Sequence, residues 1–302
     1  MTLPDLPAAR LAICIDAGRR NAGELVRLLS TQEGAAECAL LLHASSTADE
    51  SIAQAHHLAL AAFPGPNAIH LSLTEPDRIA ARNWLTRQAP ADWLLFLGPD
   101  NLPAGADFLK QYLEAERMAE GPGAMIGGVV PSAGLTGIST GLDQSGAGID
   151  ALAAPEARAA DPGRFVCSDN LLVHREILAT IPFDDGFACR QHEDIDWGLR
   201  VQAAYPLRHI DNPVIKSRFD DDTHILDAAA GSGPSLARLV RRHPDLAQRL
   251  PLVAAARRVK GIPLLSPAAR LIAASPVLPG RLRASAFRLY EAAVCSPYIE
   301  PA

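Results

Sequence analysis

Four apolar runs, at residues 11–15 (LAICI), 38–43 (CALLLH), 68–73 (AIHLSL) and 93–97 (WLLFL), are largely continuous rather than alternating. A strand with one wet face alternates apolar and polar positions, so continuous runs predict strands covered on both faces. Between them, residues 21–30, 51–62 and 76–88 are each long enough for a crossover helix, and Pro76 suits a first helical turn, where its missing N–H is no loss. The order βαβαβαβ predicts an α/β domain with a mostly parallel sheet flanked by helices. Ligands of such sheets bind beyond the carboxyl ends of the strands. Attention therefore falls on Asp16, on His43 to Ser46 and on Gly98 to Asn101.

A further strand is predicted at 124–130, followed by a Gly/Ser/Ala-rich passage, 131–162, with few large apolar groups to bury and hence a mobile loop. Order resumes at Phe165 and includes a helix over 193–203 whose Trp197 and Val201 share a face. From about residue 234 the chain becomes rich in Arg, Leu, Ala and Pro, which predicts short helices punctuated by Pro244, Pro251, Pro263, Pro267, Pro276 and Pro279.

The chain has 302 residues, 48% of them apolar, enough for a sizeable core and too many for a disordered or collagen-like chain. The formal net charge of -6 conceals a split: residues 1–234 carry 17 basic and 31 acidic side chains, residues 235–302 carry 11 and 3. An acidic body without paired Cys/His ligands argues against nucleic-acid binding. No run reaches the roughly 18 apolar residues of a membrane span, and the N-terminus lacks a basic stretch ahead of an apolar one. A cytoplasmic protein is expected, free or on the inner face of the cell membrane. Five scattered cysteines, an odd number, suit buried thiols better than a disulfide framework or zinc site. The basic tail, from Arg238 to Arg288, has two readings: peripheral contact with an anionic membrane, or packing on the acidic body. His56 and His57 are expected on a helix surface.

Two segments carry candidate chemistry. In Glu193-Asp194-Ile195-Asp196 three carboxylates crowd four positions, with Arg200 one turn after Asp196 to offset them. Asp194 then points about 100° to 200° away from that pair, as either a supported general base or an ordinary acidic first turn. In Trp93 to Asn101 a buried strand ends at Gly98-Pro99-Asp100-Asn101. That end is either a carboxylate site for Mg²⁺ or Mn²⁺ or a plain chain reversal. A P-loop and a Gly-x-Gly-x-x-Gly turn are both absent from the sequence, which disfavours the corresponding nucleotide-binding and oxidoreductase classes.

Taken in order, the strand closing on Asp100, the run Ser168-Asp169-Asn170 to Arg175, the step Phe183-Asp184-Asp185-Gly186-Phe187 and the Glu193 to Arg200 segment resemble the family 2 glycosyltransferases. Ala81-Arg82-Asn83 upstream fits the same family, and the resemblance covers roughly residues 10–245. It implies a GT-A type nucleotide-diphospho-sugar transferase fold over 1–234, with a nucleotide-sugar-binding half at 1–130, an acceptor and base half at 131–234, and a basic helical extension at 235–302. It further implies inverting transfer of a sugar from a nucleotide-diphosphate donor to a hydroxyl of a glycan or lipid-linked acceptor, in surface polysaccharide or glycolipid assembly. Asp194 would be the base, positioned by Glu193, Asp196 and Arg200. Asp100, Asn101, Arg82, Asn83, His43 and Asn170 would border the donor, and Asp100, with His224 as a further ligand, would hold Mg²⁺ or Mn²⁺. Two departures stand out. Gly98 replaces the first acid of the family's Asp-x-Asp, and His43 replaces an Asp that accepts from the nucleobase. They motivate a second reading, a non-catalytic GT-A-like binding or scaffolding subunit.

Overall fold

The computed structural model describes residues 7–74, 78–131, 142, 155–187, 192–218 and 220–300. Two compact units comprise Met1–Val130, Ala151–Phe183 and Trp197–Arg218 in one case, and Pro131–Asp150, Asp184–Asp196 and Phe219–Ala302 in the other.

The first unit is a three-layer α/β structure. In chain order it contains β1 (Leu11–Gly18), α1 (Gly23–Ser30), β2 (Cys38–Ser45), α2 (Glu50–Ala61), β3 (Ala68–Leu73), α3 (Arg78–Gln88), β4 (Trp93–Leu97), β5 (Asn101–Pro103), α4 (Phe108–Arg117), β6 (Ala124–Ile126) and β7 (Val129–Pro131). It continues with α5 (Pro155–Ala160), β8 (Asn170–His174), α6 (Arg175–Thr180), α7 (Glu193–Gln202), β9 (Leu207–His209) and β10 (Val214–Lys216). The first four residues of α7 group with the second unit.

The main sheet has the order β3-β2-β1-β4-β8-β6-β9, with only β8 running against the rest. The four apolar runs form its strands β1 to β4, as the sequence predicts, but β3 is not covered on both faces as expected: it lies at the sheet edge with only Leu71 buried. Leu11, Ile13 and Ile15 of β1 and Leu40 and Leu42 of β2 are wholly buried in one core with Leu25, Val26 and Leu29 of α1. Each such side chain contributes roughly 1.5–3 kcal/mol by leaving water.

The segment 124–130 departs from the single strand expected of it. It forms β6 and β7, in different sheets, because Gly127 and Gly128 intervene: a Cβ on Gly127 would strike the Asn212 carbonyl, the Tyr112 hydroxyl and the Asn170 amide, and Gly128 has φ +83°. The second sheet, β5-β10-β7, is a three-stranded platform. Most of 131–162 lies outside the described residues; within it α5 is an ordered element, and a short 3-10 turn, Pro162–Phe165, begins at its end.

The second unit is helical: α8 (Asp222–Ala230), α9 (Gly233–Arg242), α10 (Pro244–Arg249), α11 (Pro251–Val259), α12 (Leu265–Ala274) and α13 (Gly280–Cys295). Pro244 and Pro251 open their helices and Pro279 caps α13, as the proline pattern predicts. Its core joins Leu226, Ala229, Ala269, Ala273, Phe287 and Tyr290. No helix among the described residues is long and apolar enough to cross a membrane.

Cys14, Cys38 and Cys295 are buried free thiols and Cys167 is half-buried; Cys189 is outside the described residues. Burial pushes the Cys14 and Cys38 thiols up to about 12. The expected surface pair His56 and His57 splits, because adjacent helical positions diverge by ~100°. His57 is exposed, whereas His56 is wholly buried and accepts the Ala22 N–H at 3.0 Å.

Candidate active site

In the first unit, charged groups gather where β1, β2 and β4 end. Asp16 and His43 are register partners on parallel strands, so their side chains leave the same face, and His43 Nδ1 lies 2.8 Å from Asp16 Oδ1. His43 is 2% exposed. Burial alone would raise the Asp16 pKa; the His43 hydrogen bond and the charges of Arg78, His43 and Arg82 outweigh it, and the carboxyl lies below the usual range.

Beyond β1 the chain reverses, with Arg20 N–H donating to the Ala17 carbonyl at 2.8 Å, and the Arg20 guanidinium pairs with Asp100. Asp100 is nearly buried, and its carbonyl accepts from both the N–H and the hydroxyl of Ser217 at 2.8 Å. The Gly98–Asn101 segment is a turn closed by Asn101 N–H on the Gly98 carbonyl at 3.1 Å. It is tied to β8 through the Asp169 carbonyl, which accepts from Gly98 N–H at 3.0 Å and from the Asn101 amide at 3.3 Å.

Asp169 was not singled out from the sequence, although it stands inside the Ser168-Asp169-Asn170 run. Its carboxylate takes Arg78 and Arg82, one turn apart on α3, the latter at 3.4 Å. Arg82 is almost wholly buried and also lies over the Phe183 ring, 5.4 Å from its centroid. Asn83 donates to the Phe183 carbonyl at 3.0 Å. The strand ends thus hold three carboxylates, Asp16, Asp100 and Asp169, interleaved with Arg20, Arg78 and Arg82.

Asn170 is wholly buried. Its amide donates to the carbonyls of Gly128 (2.8 Å) and Asn212 (2.9 Å), and its oxygen accepts the Tyr112 hydroxyl at 2.7 Å. Both amide hydrogens are therefore committed to the backbone, and the residue ties β8 to the loops flanking the small sheet.

In the second unit the acidic first turn of α7 has Glu193 and Asp196 buried and Asp194 half-buried. Asp196 is gripped by Arg242 at 2.9 and 3.0 Å and by His243 at 3.0 Å, from the end of α9. Arg242 also reaches Asp184 at 2.8 Å, and Arg238 grips Asp184 at 2.8 to 3.1 Å. Burial would raise the Asp184 pKa, but these guanidiniums and the Gly186 N–H hold it below the usual range. Arg200, one turn after Asp196, donates to the Pro182 carbonyl at 3.0 Å. The Arg242 and His243 clamp carries no sequence signal beyond the basic tail itself. His224 is exposed in the first turn of α8, where its N–H donates to the Asp221 side chain at 2.8 Å. Among the described residues no three His, Cys, Asp or Glu side chains converge as a metal site.

No protein-family model matches the chain, and no curated protein sequence does. Solved structures resemble it. A mannosyltransferase, PcManGT, from Pyrobaculum calidifontis, in complex with GDP-Man and Mn²⁺, has a TM-score of 0.60 at 15% identity, over 98% of this chain and 89% of that one. S. aureus TarS gives 0.55 at 13% identity over 90% of this chain and 50% of that one. Glucosyl-3-phosphoglycerate synthase from Mycobacterium tuberculosis, in complex with Mg²⁺ and UDP, gives 0.52 at 14% over 78% and 79%. With its mostly parallel sheet flanked by helices, the chain has the GT-A glycosyltransferase fold.

Proposed function

We propose that this chain transfers a sugar, with inversion, from a nucleotide-diphosphate donor to a hydroxyl of a glycan or lipid-linked acceptor, in the assembly of a surface polysaccharide or glycolipid. The observation that carries this reading is the gathering of Asp16–His43, Arg20–Asp100 and Asp169–Arg78–Arg82 at the strand ends of a GT-A fold. Guanidiniums suit phosphate oxygens, which they meet with two parallel N–H groups, and carboxylates suit sugar hydroxyls. In a neutral imidazole whose Nδ1–H faces Asp16, Nε2 keeps a lone pair that can accept from a nucleobase N–H.

Asp100 and Asp169 flank one turn, and two carboxylates plus diphosphate oxygens fit what Mg²⁺ or Mn²⁺ requires. These two residues would hold the ion, which when bound offsets the charge appearing on the departing diphosphate. The remaining work falls to the chain. Arg20, Arg78 and Arg82 orient the diphosphate. Asp194 takes the acceptor's hydroxyl proton as that oxygen bonds to the anomeric carbon. The bond from this carbon to the diphosphate oxygen breaks, and its electron pair leaves with the diphosphate. A positioned base of this kind is worth about 10²–10⁴-fold in rate. Glu193, Asp196 and Arg200 set the turn that carries it, Asp196 through its anchorage on Arg242 and His243.

A panel of UDP-, GDP- and TDP-sugars with Mn²⁺ tests the reading. At least one should raise the melting temperature and be slowly hydrolysed, and Asp194→Ala should abolish the hydrolysis while keeping the shift. Silence of the whole panel in both measurements would end the proposal. Gly98 and His43 favour the alternative of a binding subunit, for which a donor binds and the wild type never turns it over.

A further inference from the structure

The segment 258–288 of the second unit combines two features. Over residues 246–290 there is no acidic side chain at all, against eight basic ones. Within this stretch α12 buries Ala269 and Ala273, one turn apart, in the helical core and leaves its other side apolar and wet. Leu264 is 79% exposed, Leu271 75% and Val277 86%; Ile262 and Leu282 are about half exposed. Leu264 moreover holds a left-handed backbone, φ +61°, which a leucine adopts at a cost.

The cations divide into two sets. Arg270 is engaged by Asp227 at 2.7 Å and the Tyr290 hydroxyl at 3.0 Å, Arg283 is buried against Asp222 and the Ala273 carbonyl, and Lys260 holds the Ile299 carbonyl at 2.6 Å. Arg258, Arg281 and Arg288 are exposed, before and after the apolar stretch. Apolar patches of this kind on a soluble surface mark contact sites. Exposed leucines and a valine flanked by cations, in a stretch of chain that carries no carboxylate of its own, are complementary to a surface that is greasy beneath and negative above.

We propose that residues 258–288 dock on an anionic lipid bilayer, with Ile262, Leu264, Leu271 and Val277 entering the boundary between headgroups and acyl chains and Arg258, Arg281 and Arg288 facing the headgroups. The chain lies on the surface there; none of its described helices is long and apolar enough to span.

Flotation with vesicles of phosphatidylcholine, with and without phosphatidylglycerol, tests this on the full chain. The wild type should float with the phosphatidylglycerol vesicles and less so as salt is raised. Leu264→Asp/Leu271→Asp/Val277→Asp should lose about tenfold or more in vesicle affinity at an unchanged melting temperature, since all three side chains are exposed. Arg258→Glu/Arg281→Glu should lose the salt-sensitive part and keep the rest. The proposal fails if the wild type stays unbound on the anionic vesicles, or if the triple variant floats like the wild type. It fails equally if the patch instead joins two copies of the chain, seen as a wild-type dimer that the triple variant dissolves while neither protein floats.

Discussion

The carboxylate carbon of Asp169 lies 2.9 Å from the point where a Cβ on Gly98 would sit, and the Asp169 Cβ lies 3.1 Å from it. The Asn101 amide nitrogen, 2.7 Å away, closes the remaining space. A side chain at 98 and the Asp169 side chain therefore compete for one space, which Asp169, just before β8, fills beside the turn. Restoring the acid by Gly98→Asp should harm the protein: overpacking and like charge should lower stability by about 1–3 kcal/mol and weaken nucleotide-diphosphate binding. Gly98→Asp/Asp169→Gly, which moves the carboxylate across the gap, should recover part of both. Calorimetric titration with UDP and GDP, with and without Mn²⁺, measures the binding. Equal affinity and equal stability for Gly98→Asp and wild type would show that the two side chains do not compete.

Asp196 is wholly buried; the Arg242 guanidinium offsets its charge, and His243 Nε2 lies 3.0 Å from its carboxylate. Truncating one partner of a buried ion pair leaves the other charge stranded. Since the Arg242 side chain is 37% exposed and His243 would remain, the cost of Arg242→Ala should fall near the low end for such pairs, about 2–3 kcal/mol. Asp184 loses a partner as well, but keeps Arg238. Urea unfolding at neutral pH reads the loss. A change within a few tenths of a kcal/mol would mean that the clamp is not formed in solution.

These relationships explain what the sequence disclosed and what it hid. Strands β1, β2 and β4 were legible because each buries both faces and so reads as an apolar run, and the prolines of the tail marked helix starts; β3, at the sheet edge with only Leu71 buried, carries His70 and Ser72 and gives a weaker signal. The small sheet β5-β10-β7 was not, since its three-residue strands carry no period and find partners only through the fold. The split of 124–130 was hidden for a related reason. Gly127 is required by the close approach of Asn212, Tyr112 and Asn170, and none of these is near it in sequence. The acids at Asp100 and around Asp194 announced themselves by type and clustering. Their cations did not: Arg20 lies 80 residues from Asp100, and Arg242 lies 46 from Asp196.

Asn170 ties three segments together through one buried amide. Asn170→Ala would leave the Tyr112 hydroxyl and the Gly128 and Asn212 carbonyls without this partner in a dry site. The Gly128 carbonyl keeps the Val214 N–H at 3.2 Å, so the Tyr112 hydroxyl and the Asn212 carbonyl are the groups left short; at roughly 1 kcal/mol or more for each, the expected destabilisation is about 2 kcal/mol, again by urea unfolding. Asn170→Asp keeps the shape and the acceptor but loses both donors, so it should be destabilised too. If Asn170→Asp matched the wild type, the amide donors would have no structural part.

The sharpest pH dependence should come from His56. Burial, then the neighbouring charge of His70 and of His57, pushes its pKa down to about 4 from an ordinary 6.5. The His56 and His70 rings lie 5.5 Å apart and those of His57 and His70 4.6 Å apart, so a proton added to any of them is felt by the others. Between pH 6.5 and 4 the unfolded chain holds a proton on this residue that the folded chain refuses, and stability must fall as pH falls through that window. At about 1.4 kcal/mol per unit the loss is on the order of 3 kcal/mol. His70 and His209, also lowered by burial, add to the slope in the same direction. Asp16 and Asp184 do not enter this window: their depressed pKa values confer stability that is present above about 3.9 and disappears only below it. His56→Gln can still accept the Ala22 N–H but cannot take a proton. Its unfolding free energy, measured from pH 7 to 4, should therefore fall less steeply than the wild type's, leaving the two closest at the acid end. Parallel profiles across that range would place the acid sensitivity elsewhere.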